Sequence, residues 1–192
     1  MKLIIASNNK HKIYEIKKML GSKFSEILSI ADAGITHETV EDGVTFAENA
    51  HKKASEIAEI AKCPALADDS GICVNALDGA PGVYSARFSG GDDEDNNSLL
   101  LEKLAGKDDR GAYYACAMSL VYPDGREISS LGYMYGTITE NPRGTRGFGY
   151  DPLFVPTGES RTVAEMTDDE KNAISHRAKA LSALLEKIEA ER

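Results

Sequence analysis

Two carboxylates, Asp68 and Asp69, follow the small apolar run Ala65-Leu66-Ala67 and lead directly into Ser70-Gly71. Acids at the end of a buried strand need partners, because an ionised carboxylate removed from water is costly unless it is paired or holds a cation. A hard cation such as Mg²⁺ takes oxygen ligands and is satisfied by one or two carboxylates together with substrate phosphates. A carboxylate placed there can also orient a water or accept its proton. Gly71 would let the backbone approach a ligand closely. The same residues also suit a solvated acidic turn of the Asx type, and the pair alone does not separate the two.

Three other clusters bear on that choice. Ser7-Asn8-Asn9-Lys10-His11-Lys12 gathers a hydroxyl, two amides, two lysines and the opening N–H groups of a helix within six residues. Such donors and point charges suit phosphate oxygens. The run has neither the glycines nor the spacing of a Walker A loop, and a capped, solvated helix start would use the same residue types. Gly147-Phe148-Gly149-Tyr150-Asp151-Pro152 sets two aromatics among glycines. This pattern can stack a ring on a base while exposed backbone groups read its edge, or can be a tight turn with core aromatics. Lys171 lies four residues before Ser175, with His176 and Arg177 next; a helix would put Lys171 and Ser175 on one face. Those groups suit a phosphate or a base carbonyl, or a plain solvated face. Together, the four clusters read as a nucleotide phosphate site with a metal.

The positioning elements can be placed from periodicity and punctuation. Residues 3–6 read as a buried strand, and Ile13, Ile16 and Leu20 recur at helical spacing after the polar loop. Residues 31–46 are irregular and acidic. Thr45 with Glu48 makes a capping box for a helix to about Ala61, which Pro64 closes. A short strand, 65–67, precedes the paired acids, and an extended pattern resumes at 72–77. Residues 90–97 read as an acidic loop and 98–104 as a helix. Residues 112–122 and 126–138 form a strand pair around Pro123-Asp124-Gly125. Residues 152–156 are a short strand, and 167–191 one long terminal helix. The sum is an α/β fold with a mixed sheet.

The chain has 192 residues, 42% hydrophobic and 28% charged, with a net charge of -9. That length suits one large domain or two tightly packed lobes. The acidic balance argues against broad nucleic-acid binding through the phosphate backbone. Cys63, Cys73 and Cys116 are odd in number and form no CxxC pattern, so neither a disulfide framework nor a zinc site is expected. No stretch has a signal-peptide core or the ~20 apolar residues that span a bilayer. A cytoplasmic protein is the expectation.

The motifs above, with Thr45-Phe46-Ala47-Glu48-Asn49-Ala50 and Gly79-Ala80-Pro81-Gly82-Val83-Tyr84-Ser85-Ala86-Arg87, occur in one order almost end to end. In this the chain resembles the inosine/xanthosine triphosphate pyrophosphatase family. The resemblance implies a single domain over 1–192, with a mixed central sheet and two lobes around a nucleotide cleft. It also implies a homodimer and Mg²⁺-dependent hydrolysis of dITP, ITP and XTP to the nucleoside monophosphate and pyrophosphate. Carried over by position, Ser7, Asn8, Asn9, Lys10, His11 and Lys12 would bind the triphosphate. Asp69 would be the proton acceptor and a metal ligand, and Ser70 would touch substrate. Phe148, Gly149, Tyr150 and Asp151 would hold the base, while Lys171, His176 and Arg177 would contact substrate and Lys53 would reach phosphate.

The sequence departs from the family pattern in two places. Many members have a metal-binding Glu three residues before the glycine matching Gly43; here that position is Val40, and Glu41 takes the assignment, with Asp42 and Asp68 as alternatives. Arg146 stands where a glycine is common. Rival readings are a similarly folded Maf-type pyrophosphatase for modified pyrimidine nucleotides and a non-catalytic nucleotide sensor.

Overall fold

The computed structural model describes residues 2–21 and 23–191. Met1, Ser22 and Arg192 fall outside them. The elements are β1 (Lys2–Ile5), α1 (Lys10–Leu20), β2 (Glu26–Ser29), α2 (Phe46–Ala61), β3 (Ala65–Val74), α3 (Asp93–Lys103), β4 (Gly111–Val121), β5 (Glu127–Ile138), β6 (Phe154–Pro156), α4 (Asp168–Ile174) and α5 (His176–Ala190). The strands form one six-stranded sheet in the order β2-β1-β3-β4-β5-β6. β1 runs parallel to both β2 and β3, and β6 is antiparallel to β5. The sheet is therefore mixed, as the sequence predicts. Among the described residues, no helix is long and apolar enough to cross a membrane.

Contacts divide the chain into two compact units. The first comprises Met1–Asp69, Cys116–Gly132 and Ala178–Arg192; the second comprises Ser70–Ala115 and Tyr133–Arg177. One of the crossings between them falls inside β3, at the peptide joining Asp69 to Ser70.

In the first unit the sheet is covered on both faces, and residue parity decides which face each side chain serves. Leu3, Ile5 and Leu66 pack with Ile16 and Leu20 of α1 and with Leu181 and Leu184 of α5. Ile4, Ala6, Ala65 and Ala67 pack with Ala54, Ile57 and Ala58 of α2. Double coverage explains why β1 and the start of β3 are continuously apolar rather than alternating. Small residues on both sides let α2 lie close to β3. In the second unit Ile72, Val74, Tyr114, Met134, Phe154 and Leu153 form a core with Leu100 and Leu104 of α3.

Local chemistry sets the helix starts. The Asn9 side chain accepts hydrogen bonds from the backbone of His11 and Lys12, Thr45 and Glu48 form the capping box that the sequence announces, and Asp92 caps α3.

Four expectations change. The two extended pieces predicted around the paired acids are one strand, β3, so Asp68 and Asp69 lie within a ladder rather than in a turn. Residues 93–97 are the first turns of α3, where Asp93, Glu94 and Asp95 suit the positive end of the helix. The terminal helix is broken: Ser175 is extended, at φ -66° and ψ 153°, and separates α4 from α5. The sequence reading assigned no element over 26–29, where β2 lies.

Candidate active site

The first unit holds a cluster of charge. Asp69, 6% exposed, accepts a hydrogen bond from the Asn49 amide at 3.1 Å, and the Lys53 ammonium lies 3.6 Å from its other oxygen. Lys53 also binds Glu41 at 2.8 Å. Asp68 is paired with Lys12 at 3.1 Å. The parity of β3 explains this partition: Asp69 shares the face of Ala65 and Ala67, toward α2, whereas Asp68 shares the face of Leu66, toward α1. Adjacent acids are thereby given different neighbours. Burial pushes the Asp69 carboxyl above its usual range, against the pull of Lys53, Lys12 and the Asn49 hydrogen bond. Burial pushes the Lys53 ammonium down, but Asp69, Asp68 and Glu41 outweigh it, and its affinity for the proton ends above normal.

The carboxylates of this cluster are paired with lysines. Glu41, Asp68 and Asp69 against Lys12 and Lys53 sum to one negative charge. Glu41 and Asp69 already share a cation, the Lys53 ammonium. Among the described residues no group of three or more His, Cys, Asp or Glu side chains is arranged to hold a metal. Mg²⁺ does not require one, since it keeps waters and draws ligands from substrate phosphates. Of the candidate ligands, Glu41 shares Lys53 with Asp69, whereas Asp68 faces α1 and Asp42 pairs with Lys52 at 2.7 Å.

The predicted anion loop is partly committed to its own structure. Asn8, Lys10 and His11 are exposed, and Ser7 and Lys12 half-buried. The N–H groups of His11 and Lys12 are taken by the Asn9 side-chain oxygen Oδ1, at 3.0 and 3.2 Å, and the Asn9 N–H donates to the Ser7 hydroxyl. Those two helical N–H groups are therefore already satisfied within the loop.

The second unit gathers the aromatic and basic candidates. The Lys171 ammonium binds Asp151 at 2.9 Å and lies 4.7 Å from the centre of the Phe148 ring. The Arg177 guanidinium is 5.8 Å from the same ring and donates to the Ser70 hydroxyl at 3.0 Å. His176 stacks on Tyr114 with centroids 4.7 Å apart and planes within 8°. The break at Ser175 produces this arrangement: Lys171, Ser175, His176 and Arg177 are all buried, whereas a continuous solvated helix was one expectation for them. Asp151 and Tyr150 are buried too. Asp151 accepts from the Phe148 N–H at 3.0 Å, and the Tyr150 hydroxyl donates to the Ser85 carbonyl at 2.8 Å. Within residues 148–151, Asp151 and Tyr150 thus brace the loop, and the half-buried Phe148 ring is backed by two cations.

Gly71 is needed for packing within the chain. A Cβ on it would lie 2.4 Å from the Gly82 carbonyl oxygen and 2.4 Å from the Ser85 hydroxyl. The close approach is to the chain's own 3₁₀ segment, Gly82–Arg87. Gly71→Ala is expected to lower unfolding stability by about 2 kcal/mol or more, measured by urea denaturation, because one of the opposing atoms is backbone.

Sequence reasoning overlooked Asn49, which is fully buried and bridges Asp69 to the Gly43 N–H, accepted at 2.8 Å. A polar residue on the alanine face of α2 was the available clue. Tyr114 was overlooked as well; it alternates among apolar neighbours on β4 and carried no polar cue of its own.

A mixed α/β chain with a buried carboxylate–lysine cluster and a cation-backed aromatic loop is of the class that holds phosphorylated, ring-bearing ligands. The chain belongs to the Ham1 family, whose model matches residues 3–187. It is 48% identical over 200 residues to a Streptomyces coelicolor protein named dITP/XTP pyrophosphatase, with 96% of this chain and 95% of that one covered. It is 50% identical over 186 residues to an Exiguobacterium protein of the same name, with the same coverage. Among solved structures, the Staphylococcus aureus Ham1 protein superposes with a TM-score of 0.90 at 36% identity, covering 100% of both chains.

Proposed function

We propose that this protein hydrolyses non-standard purine nucleoside triphosphates, dITP, ITP and XTP, to the nucleoside monophosphate and pyrophosphate. The observation that carries the reading is Asp69: a buried carboxylate of raised proton affinity, sharing a lysine with Glu41, in a chain about half identical to enzymes of that name.

In this reading the whole chain works as one catalytic domain. Ser7, Asn8, Asn9, Lys10, His11, Lys12 and Lys53 engage the triphosphate. Asp69 orients the attacking water and accepts its proton as the water oxygen bonds to phosphorus and the bond to the pyrophosphate oxygen breaks. Lys12 and Lys53 neutralise the charge that grows on the departing pyrophosphate. Asp69 and Glu41 would hold a Mg²⁺ ion, which would supply Lewis-acid polarisation of phosphate oxygens when bound.

Phe148 stacks on the base while Gly149, Tyr150 and Asp151 shape its surroundings. Ser70, Lys171, His176 and Arg177 complete the substrate contacts. Donors aimed at a 6-keto oxygen would reject adenine, whose amino group leaves them unpaired. Guanine must be rejected through its 2-amino group or by pocket shape. The enzyme is a cytoplasmic homodimer in this reading.

Pyrophosphate release from a panel of ITP, dITP, XTP, GTP, ATP, dTTP and UTP, with and without Mg²⁺, tests the function. Preferential release from the first three, dependent on Mg²⁺, is expected. Turnover confined to dTTP or UTP, or tight binding without release, would overturn it.

A further inference from the structure

We propose that Asp93 and Asn97 of α3 are positioning residues for base discrimination, acting by gripping the peptide groups of Gly149 from outside its loop. The proposal rests on the assignment of residues 148–151 to the base.

The Gly149 N–H donates to Asp93 Oδ2 at 2.6 Å, and the Asn97 Nδ2 donates to the Gly149 carbonyl at 3.0 Å. Asp93 and Asn97 are four residues apart on one helix, so one face of α3 presents an acceptor and a donor together. Both backbone groups of a single residue are thereby held by side chains 52 or more positions away in sequence. The bond to the carboxylate is charge-assisted.

The loop needs such a hold. Gly147 and Gly149 lie in the left-handed region, at φ +77° and +60°, with Phe148 between them. Glycines impose little conformational preference of their own, so two of them flanking the ring leave its position to be fixed by external contacts. On one side, Asp151 holds the Phe148 N–H; past the ring, Asp93 and Asn97 hold Gly149; beyond that, the Tyr150 hydroxyl is anchored on Ser85. Asp151 and Ser85 act on the residues flanking Gly149, whereas the α3 pair fixes the peptide that follows the stacking ring. A base whose edge is read at fixed positions is discriminated only as well as those positions are held.

Removal of the grip should therefore loosen base selection without touching the chemistry at Asp69. Asp93→Ala is expected to raise KM for ITP about 10-fold and to lower the ITP-over-GTP ratio of kcat/KM by a similar factor, with kcat within about 2-fold of wild type. Asn97→Asp, which sets a carboxylate against the Gly149 carbonyl, should do at least as much. Asp93→Asn retains an acceptor oxygen and should return KM to within about 3-fold. Glu94→Ala removes an acid from the same helical turn without a contact to Gly149 and should change neither parameter; this separates the grip from the general effect of charge at the start of α3.

Amide hydrogen exchange at Gly149 in the nucleotide-free protein gives a readout independent of activity. It should accelerate about 10-fold or more in Asp93→Ala and Asn97→Asp, and remain at the wild-type rate in Glu94→Ala. Unchanged exchange at Gly149 in both grip variants would overturn the proposal. Faster exchange with unaltered KM and selectivity would overturn it equally. Lack of any nucleotide turnover by the wild type, with these exchange differences intact, would count against the proposed enzymatic function and leave the grip itself standing.

Discussion

Asp69→Asn is expected to lose about 10³-fold in kcat for pyrophosphate release while binding ITP nearly as tightly as the wild type. The amide keeps the size and one acceptor of the carboxylate but can neither take a proton from water nor hold a cation by charge. Rapid-quench or coupled pyrophosphate assays give kcat, and calorimetry with ITP gives the affinity. The same variant should be as stable as the wild type or more so. Burial already disfavours the ionised carboxyl, and Lys53 keeps its 2.8 Å partner Glu41 when Asp69 is neutralised. A gain of roughly 1 kcal/mol, or about 2–4 °C in Tm for a chain of this size, is the expected scale.

The pH dependence has a definite sign. The folded-state pKa of Asp69 lies above that of the unfolded chain, so the stability linked to its protonation is complete below the ordinary carboxylate range and is lost as pH rises through the folded value. In metal-free protein the stability advantage of the Asp69→Asn variant should therefore be largest near neutrality and should shrink as pH falls toward about 4. A variant less stable than wild type at pH 7 would show that Asp69 holds the fold rather than serving chemistry.

The second large effect is expected at Lys171. The Lys171–Asp151 pair is buried on both sides, and Tyr114 sits nearby with its hydroxyl 3.4 Å from the acid. Lys171→Met strips the positive charge from a carboxylate that cannot reach bulk water, and should cost about 3–5 kcal/mol in urea unfolding. The double variant Lys171→Met, Asp151→Asn removes both charges of the pair, yet its amide oxygen can still accept from the Phe148 N–H. It should be more stable than Lys171→Met alone, a non-additivity expected of groups in contact. A double variant that loses the sum of the two single effects would place the energy of this pair elsewhere.

Much of this could be read from the sequence. Helices α1 and α2 were visible because a regular apolar face coincides with an Asn or Thr cap. The β4–β5 pair was visible through Pro123-Asp124-Gly125, where the Gly125 N–H does close back on the Tyr122 carbonyl at 2.9 Å. The misses have physical causes. β2 is four residues long and only its last is buried, so it carries no periodic pattern. The start of α3 is so acidic that it resembles a solvated loop, although acids are favourable at a helix N-terminus. The break at Ser175 has no proline or glycine to announce it, and it accompanies the burial of polar groups that no propensity records. Residue types revealed which side chains carry chemistry. They did not reveal Asn49, Asp93 and Asn97, whose roles depend on which distant atom each one meets.

The central position of β3 has one more consequence. It lies between β1 and β4, and its side chains alternate between the α1 face and the α2 face. Such a strand is intolerant of changes in length. Deletion of a single residue between Ala65 and Asp68 would shift the reading frame of the pleat by one and carry the carboxylate of Asp69 to the side where Leu66 now packs. Every residue type would survive that deletion, and the spatial arrangement of the site would not. Loss of one codon in this strand would therefore exchange the two faces of the site at a stroke.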